Sequence, residues 1–108
     1  MRVADFIIKY LVNKQIHTFF SVTGRGSLFL NDALARSDLA KYFFFHHEQS
    51  AAFSAITTPY INNKISCCMV STGCASTNTI TAVLSAWQDS LPVIFISGQN
   101  FKNETTTY

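Results

Sequence analysis

Charge is scarce in this sequence. Only 13% of its 108 residues are charged, and the net charge is +2. Binding nucleic acid through the backbone needs Lys and Arg gathered on one face, and here they are scattered. No nucleic-acid partner is expected. Disorder is excluded too, because 48% of the residues are hydrophobic. Cysteine is limited to Cys67, Cys68 and Cys74. An odd count with two adjacent residues fits no disulfide framework and points to reduced thiols and a cytoplasmic location. No apolar run reaches the roughly 18 residues that span a bilayer, so no membrane partner is expected. The opening "MRVADFIIKYLV" carries Asp5 and Lys9, and no small-residue cleavage site follows it. It reads as an amphipathic helix, not a signal peptide.

Several motifs are missing as well. "TGRGSLF" has Phe29 where a dinucleotide fingerprint needs its third glycine, and it lacks the Gly-Lys-Ser/Thr end of a P-loop. What remains is a turn whose glycines permit close backbone approach, either to a ligand or simply between a strand and a helix. There is no C-x-x-C, and His46 and His47 are adjacent, so the spacing is wrong for zinc. No G-x-S-x-G elbow marks a serine nucleophile. Cys74 follows Gly73 at a strand-to-helix turn, but no histidine can be placed beside it, so a small buried side chain is the simpler reading.

What is present is an alternation of strands and helices. Val3, Phe6, Ile7, Tyr10 and Leu11 recur at helical spacing, which predicts a helix over 3–14. Strands are predicted at 17–22, 42–45, 65–71 and 93–98, all rich in β-formers. Ser27 is a plausible cap for a helix through 28–37. A third helix is predicted over 47–56, ended by β-branched residues and Pro59. A fourth runs through 77–90, with Ile80, Val83, Leu84 and Trp87 on one face, and Pro92 stops it. The tail 99–108 is polar and without clear structure. This order predicts an α/β fold in three layers, a mostly parallel sheet with helices on both faces. The strands are continuous apolar runs, as for strands buried on both sides. Ligands of such sheets sit beyond the carboxyl ends of the strands. "TGRGS", "HHEQ", "STGCAST" and "SGQN" fall there.

Ten phenylalanines with so little charge imply either a greasy α/β core or a surface covered by a partner subunit or another part of the chain. Glu48 stands out against that background, delivered by the run "FFFHH" to the start of a helix. The helix dipole there favours the charged form by about 0.3–1 kcal/mol. Full burial would raise a carboxyl pKa by up to roughly 3–5 units, several kcal/mol, and would prevail. The residue is either a solvated first-turn glutamate or a desolvated carboxyl suited to holding or sharing a proton.

The blocks "FSVTGRGSLFLNDALA" (20–35), "HHEQSAAF" (46–53), "STGCASTNTITAVLSAWQDSLPV" (71–93) and "ISGQN" (96–100) resemble the pyrimidine-binding domain of thiamine-diphosphate enzymes. They are closest to the acetolactate-synthase-like branch, which includes relatives in surface-polysaccharide biosynthesis. The resemblance covers nearly the whole chain. It implies that residues 1–108 are a single, incomplete pyrimidine-binding domain with a truncated sheet. It also implies that Glu48 is the catalytic carboxylate at N1′ of the cofactor's aminopyrimidine. Glu48 would drive that ring towards its imino form, which activates the thiazolium C2 for attack on a 2-keto acid or aldehyde.

Thr23 and Gly24 match the family's first glycine turn, and Thr72, Gly73, Cys74 and Asn78 its second cofactor-binding turn. Cys74 replaces the usual proline and Ala75 a glycine. Arg25 stands where the family has a small residue, and would either block the site or pair with an anionic group. Ile56–Tyr60 also depart from the pattern. The family binds the diphosphate through Mg²⁺ on a second domain, by a G-D-G motif followed by Asn, which has no match here. Its sites lie between two subunits, so the resemblance implies a homodimer or higher homo-oligomer and a missing diphosphate-binding domain. The chain alone is expected to be inactive, part of a carboligase, decarboxylase or lyase. The alternative is a truncated or degenerate domain that folds and self-associates without cofactor.

Overall fold

The computed structural model describes residues 1–105. Four parallel strands lie in the order β2-β1-β3-β4, where β1 is Thr18–Ser21, β2 Lys41–Phe44, β3 Ser66–Val70 and β4 Val93–Ser97. Phe20 sits beside Phe43 on one side and Cys68 on the other, and Cys68 beside Phe95. The parallel α/β expectation holds. Helices α1 (Val3–Asn13) and α2 (Leu28–Ala35) cover one face; α3 (Glu48–Asn62) and α5 (Ile80–Gln88) cover the other. A single turn of helix, α4 (Cys74–Thr77), leads into α5, where the sequence suggested only a turn.

The two cores follow from strand alternation. Phe19, Cys67 and Met69 point to one face, with Ile8, Leu11 and Leu34 from α1 and α2. Phe20, Cys68 and Val70 point to the other, with Ala51, Ala52 and Ala55 of α3 and Ala82 of α5. The alanines let α3 lie close to the sheet. Complete burial of a side chain such as Phe19 contributes about 1.5–3 kcal/mol.

Three expectations need correction. β2 and β4 are not buried on both sides: they are the two edge strands, β4 only partly buried, and all residues of β2 exposed, with Phe43 51% accessible. Helix α3 does not end at 56 but runs through Pro59 to Asn62, where Asn63 turns left-handed at φ 56°. A proline in a helix interior leaves the carbonyl four residues back without its N–H donor. That carbonyl is Ala55 O, and the buried Ser66 hydroxyl on β3 donates to it at 2.6 Å. The sheet therefore supplies the hydrogen bond that Pro59 withholds. Ser27 stands at the cap position of α2 but caps nothing. Its hydroxyl accepts instead from Asn31 Nδ2 at 3.0 Å, in a buried set with Ser21.

The apolar face of α5 turns outward. Ile80, Leu84 and Trp87 are exposed, Trp87 at 82%, while Ala82 and Ala86 pack inward. Among the described residues no helix is long and apolar enough to cross a membrane.

Candidate functional site

The turns at the carboxyl edge of the sheet interlock because glycine stands where side chains would collide. A Cβ on Gly24 would lie 2.5 Å from Ser71 Cβ, and one on Gly26 would run into the Thr72 methyl. Gly26 N–H donates to Ser71 Oγ at 3.1 Å. A Cβ on Gly98, after β4, would strike the Gly26 backbone. The turns after β1, β3 and β4 thus form one packed ridge, with Thr23 exposed on it. Gly73 differs. Its φ of +60° requires glycine, and nothing lies within 4 Å of where its Cβ would be. The α4 turn behind it is closed by its own carbonyls: Ser76 Oγ donates to Gly73 O at 2.8 Å and Thr77 Oγ1 to Cys74 O at 2.8 Å.

Glu48 opens α3, and His47 fixes that opening by accepting Gln49 N–H on Nδ1 at 3.1 Å. Across the edge, Asn78 Nδ2 donates to Glu48 Oε2 at 2.9 Å. The carboxylate and the amide come from the turns after β2 and β3, which are not neighbouring strands. The Asn78 bond holds the Glu48 carboxyl below its ordinary range, helped by its own backbone N–H and by nearby His47; partial burial pushes the other way and loses. Dominant desolvation is therefore not what this chain gives Glu48, because the residue is only half-buried. Its negative charge adds to burial in raising the Cys68 thiol beneath the edge to about 12. Glu48 Oε1 has no side-chain hydrogen-bond partner among the described residues.

Of the residues singled out by sequence, Glu48 and Asn78 meet directly, and Gly73 opens the turn that leads to Asn78. Thr72 packs against the glycine turn, its methyl beside Gly26. Cys74 is exposed, not a small buried side chain. Arg25 pairs with an anionic group, Glu104, at 2.9 Å. Ser71, which ties β3 to the glycine turn, was missed as a contributor: a serine before a turn carries no signal of its own. Among the described residues, no three His, Cys, Asp or Glu side chains gather into a set that could hold a metal ion.

A family model described as "Thiamine pyrophosphate enzyme, N-terminal TPP binding domain" matches residues 1–108. The acetolactate synthase isozyme 1 large subunit of Escherichia coli is 34% identical over 96 residues, which are 89% of this chain and 17% of that protein. The acetolactate synthase large subunit of Buchnera aphidicola is 33% identical over the same shares of both. Mycobacterium leprae acetolactate synthase is 30% identical over 89% of this chain and 15% of its own length. The chain thus spans about a sixth of the length of these curated relatives.

Proposed function

The chain belongs to the N-terminal TPP-binding domain family of thiamine pyrophosphate enzymes, and from that premise we propose that it is the pyrimidine-binding part of a thiamine-diphosphate-dependent carboligase or decarboxylase acting on 2-keto acids. Glu48 is the residue that meets the cofactor ring. The observation that carries this is the Glu48–Asn78 hydrogen bond at 2.9 Å, which pins one carboxylate oxygen and leaves the other to share a proton with a ring nitrogen.

The residues fit an aminopyrimidine. Oε1 of Glu48 is a charged acceptor for a protonated ring nitrogen, and such charge-assisted bonds are about twice as strong as neutral ones. The open space above Gly73 allows a flat ring to approach backbone. Bound thiamine diphosphate supplies the electron sink that stabilises a carbanion derived from the 2-keto acid. Glu48 holds a proton at the pyrimidine nitrogen, Asn78 keeps the carboxylate aimed, and the packed turns keep both at the sheet edge. Closure of the open edge by another domain would remove water and raise the Glu48 pKa from its present low setting. Mg²⁺ and the diphosphate belong to a diphosphate-binding domain outside these residues. The exposed apolar face of α5 supports burial against a second subunit in a homo-oligomer. The buried free thiols Cys67 and Cys68 suit a reducing, cytoplasmic setting.

Calorimetric titration with thiamine diphosphate and Mg²⁺ tests the reading. Residues 1–108 alone should bind weakly, and binding should become tight once the diphosphate-binding domain is supplied. Tight binding by the isolated segment would contradict the shared site. No binding in the assembled form would favour a degenerate domain that merely folds and associates.

A further inference from the structure

On the sheet edge beside α2, residues 98–104 fold back over the glycine turn and enclose a pocket of about 280 Å³. Its wall is apolar, made by Leu28, Phe29 and Phe101, and its one cation is Arg25. Two contacts hold the segment to Arg25. The guanidinium Nη2 pairs with Glu104 Oε1 at 2.9 Å, and the guanidinium carbon lies 5.5 Å from the Phe101 ring centre. At its other end the segment is seated on backbone, because Gly98 packs against Gly26.

We propose that this pocket is a binding subsite for a small monocarboxylate with an apolar tail, and that Glu104 occupies its cationic end as an internal competitor. A guanidinium beside one aromatic ring, Phe101, recognises a planar carboxylate, and the apolar wall accepts the tail. The carboxylate already on Arg25 is the chain's own demonstration of that complementarity. The pair is displaceable. The Arg25 side chain is 75% exposed and that of Glu104 37%, and exposed ion pairs contribute little. An incoming carboxylate takes the Arg25 hydrogen bond while Glu104 swings into water. No covalent bond is made or broken in the exchange. The proposal does not depend on the role of Glu48, which stands at the start of α3 against Asn78 and does not line this pocket.

The test is a titration of residues 1–108 with benzoate, followed by amide chemical shifts, with benzamide as the neutral probe of the same shape. Arg25 and Glu104 are surface residues, so R25A and E104Q should both fold. Benzoate should give saturable shifts at Gly26, Phe29 and Phe101. E104Q should tighten it by about threefold to fivefold. R25A should weaken it by about threefold to fivefold. Benzamide should bind more weakly than benzoate and be indifferent to both substitutions. Unchanged or weaker binding in E104Q would overturn internal competition. Unchanged binding in R25A, or equal binding of benzamide, would overturn carboxylate recognition.

Discussion

Asn78 Nδ2 and Glu48 Oε2 are 2.9 Å apart across thirty positions of sequence. This contact sets both the aim and the charge of the carboxylate. Asn78→Ala should raise the Glu48 pKa towards its ordinary value, since the Asn78 bond is the largest influence lowering it. Asn78→Asp should raise it further, by placing like charge beside it. Because the folded pKa lies below the unfolded one, ionised Glu48 stabilises the fold above about pH 4.5. That contribution is lost as pH falls through the folded pKa. A carbon-detected NMR titration of the Glu48 carboxyl checks this, and an unchanged pKa in Asn78→Ala would remove Asn78 from its role.

The Ser66 hydroxyl substitutes for the N–H that Pro59 lacks, so the two residues should be coupled. Ser66→Ala leaves the buried Ala55 carbonyl unsatisfied and should cost about 1–3 kcal/mol. Pro59→Ala returns a helical donor to Ala55 O, and in that background the Ser66→Ala cost should shrink. Urea denaturation of the four forms in a double-mutant cycle measures the coupling. Equal costs of Ser66→Ala in both backgrounds would rule it out.

Sequence resolved this region only in part, for a physical reason. Pro59 argued for an early helix end because local propensity disfavours proline in a helix, while the compensating hydroxyl sits on a strand whose packing propensity cannot see. The order of strands and helices was legible, because continuous apolar runs alternate with helical stretches. The exposure of β2 was not: an apolar run such as "YFFF" looks the same at an edge as in the middle of a sheet, and only pairing decides. Glu48 and Asn78 could be named from their motifs. The low pKa could not, because it depends on the distance between two turns. The Arg25–Glu104 pair joins residues 79 positions apart, one of them in a polar tail without pattern.

Glycine substitutions should separate crowding from backbone strain. Gly98→Ala drives a methyl into the Gly26 backbone, and should destabilise by about 1–3 kcal/mol or more. Gly73→Ala meets open space but keeps φ +60° with ψ −123°, and should cost about 1–3 kcal/mol through strain alone. Chemical denaturation ranks them. A harmless Gly98→Ala would mean that the turns after β1 and β4 are not packed as described.

Thiol chemistry should report burial. Cys74 is exposed, whereas Cys67 and Cys68 are buried, and burial pushes both of their pKa values up, Cys68 to about 12. A chromogenic disulfide at neutral pH should label one thiol rapidly in the native chain and all three after denaturation. Fast labelling of two or more native thiols would contradict the closed core beneath the sheet edge.

The role proposed for Glu48 is tested most directly by proton exchange at the thiazolium C2 of thiamine diphosphate, with the chain assembled with a diphosphate-binding domain. Glu48→Gln keeps the shape and the Asn78 neighbour but removes the carboxyl proposed to share the proton. Exchange should slow by at least about 100-fold, the scale of a lost acid–base group, while cofactor still binds. Exchange as fast as in the unmodified enzyme would contradict the assignment.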